Sequence, residues 1–217
     1  LEQLLLARNE LPEAERLTHI VVMGMGEPMA NLNNLLDALA IATSPKGLGI
    51  SSRHVTISTV GIPSRMLELA ESGRKYHLAV SLHAPEDALR TRLMPTNEKT
   101  GISTILDAAA QFLAKTGRQV TFEYILLGGI NDRAQDAEQL ARLLEGRRAH
   151  VNLIPFNPVE GLPWRRPDKE AVSIFRQALE ARQVTATVRK RKGADIDAAC
   201  GQLRRQSGES LQANTLA

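Results

Sequence analysis

The sequence has a single cysteine, Cys200, in the stretch RKGADIDAACGQL at 191–203. It follows four consecutive cations, Arg189, Lys190, Arg191 and Lys192, in a segment without strand periodicity. A loop thiol near positive charge is drawn toward the thiolate, and so toward nucleophilic chemistry. The alternative is a small buried apolar side chain, the common fate of a lone cysteine. The four cations are either a solvated surface or a contact to nucleic-acid phosphates. One cysteine excludes an internal disulfide framework and an all-cysteine metal site built from this chain alone. It fits a reducing, cytoplasmic setting.

The remaining polar residues with chemical potential fall in short clusters, each just after an apolar run. They are Gly24-Met25-Gly26-Glu27-Pro28, Ser58-Thr59-Val60-Gly61, Ser81-Leu82-His83-Ala84, Gly128-Gly129-Ile130-Asn131 and Asn157-Pro158. Each has a bland reading on its own. The glycines make tight turns, Glu27 is a solvated carboxylate or a helix N-terminal charge, and the serines are turn hydroxyls. His83 is a hydrogen-bonded structural histidine, and Asn157-Pro158 is a common turn pair. Together they predict a ligand site along one rim, with Glu27 as a partner for a ligand amine.

The elements that must carry these clusters alternate strand and helix. Strands are predicted at His19–Met25, His54–Thr59, His77–Leu82, Val120–Leu127, His150–Phe156 and Val184–Arg189. Helices are predicted at Leu32–Thr43, Pro63–Gly73, Ile102–Thr116, Ala134–Glu145 and Asp168–Arg182, with a weaker one in Leu1–Glu15 and a short one after Pro85. Pro63 and Pro167 suit a first helical turn. Gly73, Gly117 and Gly146 suit helix ends. The run Ile20-Val21-Val22-Met23 is apolar throughout, which predicts a strand covered on both faces. Such alternation implies right-handed crossovers and a parallel sheet, with ligands at the carboxyl ends of the strands. Periodicity does not decide between an open sheet and a barrel.

The 217 residues carry a net charge of +3, with 43% hydrophobic and 24% charged residues. That is globular composition, suited to one domain, and it offers no apolar run long enough for a membrane span. Nothing at the N-terminus reads as a signal peptide. Aromatic residues are scarce, with one Trp, two Tyr and four Phe, so a single-strand stacking platform is not expected. The tail from Gln206 is polar.

Read together, GMGEPMANLNN at 24–34, STVG at 58–61, SLHAPEDALRTRLMPTN at 81–97, NLIPFNP at 152–158 and RKGADIDAACGQL at 191–203 resemble the radical S-adenosylmethionine (SAM) enzymes that methylate C2 of adenine in 23S rRNA and tRNA. The resemblance runs from about Thr18 to Leu203. It implies an α/β fold, a partial TIM-like (β/α) barrel of radical-SAM type lacking its first strand, over 1–203, followed by a tail over 204–217. It implies SAM contacts at Gly26, Glu27, Ser58, Ser81, Leu82, His83 and Asn157. It makes Cys200 the cysteine that becomes S-methylated, and Arg189 to Lys192 candidate RNA contacts. The implied partners are 23S rRNA, tRNA and an electron donor, for a monomeric protein off the membrane. The alternatives are the relatives that methylate adenine C8 and a cluster-less SAM- or RNA-binding module without catalysis.

The resemblance also implies a [4Fe–4S] cluster held by a CxxxCxxC motif upstream of GEP. The sequence lacks those cysteines, so it offers no cluster ligands and no metal site is assigned, and it lacks the family's second catalytic cysteine. The chain, which starts at Leu1, is therefore expected to be the carboxyl portion of a longer protein.

Overall fold

The structure, a computed structural model, describes residues 1–158 and 161–189. Six strands make one sheet: β1 (Ile20–Val22), β2 (Val55–Thr59), β3 (His77–Ser81), β4 (Val120–Leu126), β5 (Ala149–Pro155) and β6 (Thr185–Val188). All five pairings are parallel, and the spatial order is the sequence order, β1 to β6. That order settles what periodicity left open. Every right-handed crossover moves one strand in the same direction, so the helices collect on one side and the sheet curls around its other face. The two end strands, β1 and β6, do not pair with each other. The result is an open, partial (β/α) barrel, as expected.

The helices are α1 (Glu2–Asn9), α2 (Leu32–Thr43), α3 (Pro63–Glu71), α4 (Asp87–Leu93), α5 (Ile102–Thr116), α6 (Ala134–Leu144) and α7 (Lys169–Ala181). In α5, Ile102, Ile105, Leu106, Ala109 and Phe112 form one buried stripe at three- and four-residue spacing. The helix stops at Gly117, whose φ of 69° is left-handed. Two sequence expectations need correction at the ends. Pro167 lies before the N-cap Asp168 of α7 and not in its first turn. β1 is three residues long, because the chain bends at Gly24, and its Val21 is 57% exposed. The prediction of a strand covered on both faces fails there.

The two faces of the sheet differ. Ile57, Leu78, Val80, Phe122, Tyr124, Val151 and Leu153 point to the helices and are at most 2% exposed. The alternate positions form the concave face. They pair Ser58 with Ala79, Ser81 with Glu123 and Glu123 with Asn152 across the strands. The core therefore lies between sheet and helices, and the concave face is polar. No helix among the described residues is long and apolar enough to cross a membrane.

Candidate functional site

The rim begins where β1 ends. Gly26 has a φ of +91°, and open space lies where a Cβ would stand. A side chain there would strain the backbone, while glycine leaves the chain accessible to a ligand. Glu27 follows as the N-cap of a single 3-10 turn, Pro28–Asn31. Its Oε1 accepts from the Met29 N–H at 2.9 Å and from the Thr59 hydroxyl at 2.7 Å. Its Oε2 accepts from the Val60 N–H at 2.8 Å. A carboxylate has about four lone-pair positions. Three are used: the Met29 bond caps the turn, the Thr59 and Val60 bonds tie the β1 rim to the β2 rim, and the position left on Oε2 can take one donor from a ligand. The turn-charge reading of Glu27 holds, since it caps the 3-10 turn, and the side chain keeps an acceptor position facing the rim.

Ser58 is buried in β2, and its hydroxyl donates to Oε2 of Glu123 at 3.2 Å. Glu123 was not singled out from the sequence, although it is the charged residue inside an otherwise uncharged strand. It is 6% exposed. Burial raises its carboxyl above the usual range, against the opposing pull of Ser58, Arg189 and Asn152. Arg189, expected as an RNA contact, thus brings its charge to bear on the concave face. Its backbone N–H donates to the Leu153 carbonyl at 2.8 Å, which extends the β5–β6 ladder.

The β3 rim is held from behind. Leu82 N–H donates to the Glu123 carbonyl at 2.9 Å. His83 has a φ of 59°, rare for a side chain with a Cβ and a mark of stored backbone strain. Its Nδ1 accepts from the Ile125 N–H at 3.1 Å, and its carbonyl accepts from the Asn131 amide at 2.8 Å. Burial, helped by the Arg90 charge, pushes its pKa down to about 4. The imidazole is therefore neutral near pH 7. With Nδ1 accepting, its proton sits on Nε2, which is free to donate. The structural reading of His83 holds for one nitrogen and leaves the other available.

Arg90 was missed by sequence reasoning. It is 1% exposed on α4. Its guanidinium donates to the carbonyls of Leu82 at 3.1 Å, Ser81 at 3.0 Å and Val60 at 2.6 Å, and to Oδ1 of Asn97. Asn97 in turn donates to Thr91 and Asp87. One buried cation thus clamps the ends of β2 and β3. Both residues lie inside the SLHAPEDALRTRLMPTN segment. Their signal was present, but nothing in the spacing separates a clamp from a solvated charge.

The sequence candidates divide accordingly. Gly26, Glu27, Ser58, Ser81, Leu82 and His83 lie at the ends of three neighbouring strands. Asn157 follows β5, two strands further round, and its Oδ1 accepts from Arg166. Cys200, Lys190, Arg191 and Lys192 lie outside the described residues, as does the tail over 204–217.

The donor set suits one of the two groups that the resemblance implies and not the other. A [4Fe–4S] cluster needs several cysteine thiolates. The sequence has one cysteine, and no group of three or more His, Cys, Asp or Glu suited to a metal occurs among the described residues. The cluster does not fit this chain's own residues. SAM does fit the rim. Its ammonium suits the open position on Glu27, and its polar edges suit the exposed backbone at Gly26 and the Nε2–H of His83.

The family model described as the Radical SAM superfamily matches residues 3–144. A protein of Rhodopirellula baltica named "Probable dual-specificity RNA methyltransferase RlmN" is 54% identical over 209 residues, covering 96% of this chain and 56% of that one. A protein of the same name from Symbiobacterium thermophilum is 49% identical, covering 95% and 56%. The crystal structure of a radical SAM methyltransferase from Sphaerobacter thermophilus superposes with a TM-score of 0.89 at 44% identity, covering 93% of this chain and 59% of that one. The chain spans a little over half the length of these relatives.

Proposed function

We propose, from the premise that this chain belongs to the radical SAM superfamily, that it carries the SAM-binding rim of an RNA methyltransferase acting on C2 of adenine in 23S rRNA and tRNA. The observation that carries the reading is Glu27. Its carboxylate joins the first two strand ends and keeps one acceptor position on the rim where this superfamily's named ligand belongs.

Membership of the superfamily implies SAM and a [4Fe–4S] cluster. SAM, when bound, supplies an activated methyl group. The cluster's thiolates are not among these 217 residues. The chain's own residues bind and orient. Glu27 takes the ammonium, and the Gly26 backbone lies alongside. Ser58 spends its proton on Glu123 and presents its oxygen as an acceptor. His83 offers Nε2–H, and Asn157 closes the far side of the rim. Arg90 acts through the carbonyls it clamps and is a positioning residue. Cys200 is the proposed thiolate that accepts a methyl group before the RNA receives it. Arg189 to Lys192 are proposed phosphate contacts. The protein is read as a monomer that takes electrons from a separate donor.

The test is RNA methylation by the full-length protein under anaerobic conditions with SAM and a reductant. Cys200→Ala is expected to abolish methylation and to leave the thermal midpoint within a degree or two. Methylation retained in that variant overturns the role of Cys200.

A further inference from the structure

The opposite mouth of the barrel, at the amino ends of the strands, is built differently. There a cavity of about 600 Å³ is lined by Arg53, Lys75 and Arg118, with His77, Thr121 and His150, and no carboxylate among the described residues lines it. The three cations come from three separate strand entrances. Arg53 precedes β2, Lys75 precedes β3 and Arg118 precedes β4. Arg53 and Lys75 are exposed at the edge, while Arg118, His77 and His150 are half-buried further in.

These cations lack counter-charges among the described residues. The ion pairs among the described residues lie on the helices or just past their ends: Arg65–Glu68, Lys115–Glu71, Arg142–Glu138, Arg176–Glu180, and Arg182 with both Glu138 and Glu145. None of them involves Arg53, Lys75 or Arg118. The contrast is local, because Lys115, near the end of α5, is paired, and Arg118, just past that end, is not. Arg118 is nonetheless aimed. Its Nη1 lies 3.1 Å from Nε2 of His77. Burial and the Arg118 charge both lower the His77 pKa, so the ring accepts without bringing a charge of its own. The guanidinium is oriented but not neutralised. Its Nε and Nη2 have no hydrogen-bond acceptor among the described residues. An oriented fork and two further cations around one concavity match an anion with several oxygens and more than one charge.

We propose that the amino-terminal mouth is a second ligand site, which takes a phosphate-bearing anion at Arg53, Lys75 and Arg118. It is a strand's length, roughly 17 Å for five residues, from the SAM rim, so one small ligand does not fill both. The phosphate has two chemical sources, an RNA backbone or a free polyphosphate. Only the first rests on the RNA reading above.

The experiment is a calorimetric titration of the full chain with sodium tripolyphosphate near physiological salt, repeated in competition with a single-stranded RNA oligonucleotide. Binding is expected in the wild type. The double variant Arg53→Gln with Lys75→Gln is expected to lose at least tenfold in affinity, and Arg118→Gln likewise. Arg53 and Lys75 are exposed, so the double variant keeps its fold even where Arg118→Gln does not. Competition by RNA assigns the site to an RNA backbone, and the salt slope should then fall by about one per cation removed. Tripolyphosphate binding without RNA competition assigns it to a free polyphosphate. No tripolyphosphate binding below millimolar concentration, or affinity unchanged in the double variant, overturns the site. Neither outcome touches the SAM rim, which has its own test below.

Discussion

The two mouths of this barrel treat charge in opposite ways. At the carboxyl ends, Arg90 is buried under four hydrogen bonds and Glu27 is fixed by three. At the amino ends, Arg53, Lys75 and Arg118 share a cavity without a described counter-ion. The first arrangement spends its polar groups on holding loops still, so that the few remaining positions point at a ligand. The second leaves its polar groups unspent. Rigidity in the one and unsatisfied charge in the other are the two physical marks of a site. They call for opposite mutational responses: the rim should be costly to change, and the basic mouth should not.

The largest effect is expected at Arg90. Arg90→Met removes a charged donor from three strand-end carbonyls and from Asn97. Hydrogen bonds to charged groups are worth about 1.5–3 kcal/mol each and do not add, so a loss of about 3–4 kcal/mol in urea unfolding is expected. A loss below 1 kcal/mol would mean that the rim is not held from behind.

Next comes Gly61, beside the Val60 that Glu27 and Arg90 both hold. Its φ is +95°, and an added Cβ would stand 2.9 Å from Cδ1 of Ile105. Gly61→Ala is expected to cost about 1–3 kcal/mol through strain and overpacking. An unchanged thermal midpoint would show that the turn relaxes freely.

A third effect is set by pH. His83 titrates near 4 in the fold and near 6.5 when unfolded. Between those values the unfolded chain binds the proton and the folded one does not. Stability is therefore full above about pH 6.5 and falls as the pH drops toward 4, by up to about 1.4 kcal/mol per unit. His77 and His150 shift in the same direction and add to the slope. His83→Gln should flatten the unfolding-versus-pH curve over this window. A curve as steep as the wild type's would place the burden on the basic mouth instead.

The smallest effect is expected where the mouth is exposed. Arg53→Gln with Lys75→Gln should leave stability within about 0.5 kcal/mol of wild type, as unpaired surface charges do. A loss above 1 kcal/mol would reveal a structural contact there and erase the contrast between the mouths.

Much of the rim was legible because strand ends in an alternating pattern announce themselves. Glu27, Ser58 and His83 all follow short apolar runs, and parallel strands deliver those positions to one edge. The sheet's curl was legible through the family resemblance and not through periodicity, because strand order is a property of crossovers and leaves no periodicity behind. Arg90 was not legible, since its burial depends on carbonyls from two other strands. Glu123 gave a partial signal, a carboxylate within VTFEYIL, which makes sense only once alternate residues are known to face a polar concavity. The basic mouth gave none. Arg53, Lys75 and Arg118 are far apart in the chain and meet only because parallel strands all start on the same side.

The central claim is that Glu27 receives the ammonium of SAM at the carboxyl-end rim. Its most direct test is equilibrium binding of SAM to the full-length protein, kept anaerobic, comparing wild type, Glu27→Gln and the Arg53→Gln with Lys75→Gln pair. Glu27→Gln removes the negative charge and keeps the shape. The account predicts at least a tenfold loss of SAM affinity in Glu27→Gln and none in the pair at the opposite mouth. SAM affinity unchanged in Glu27→Gln would contradict it.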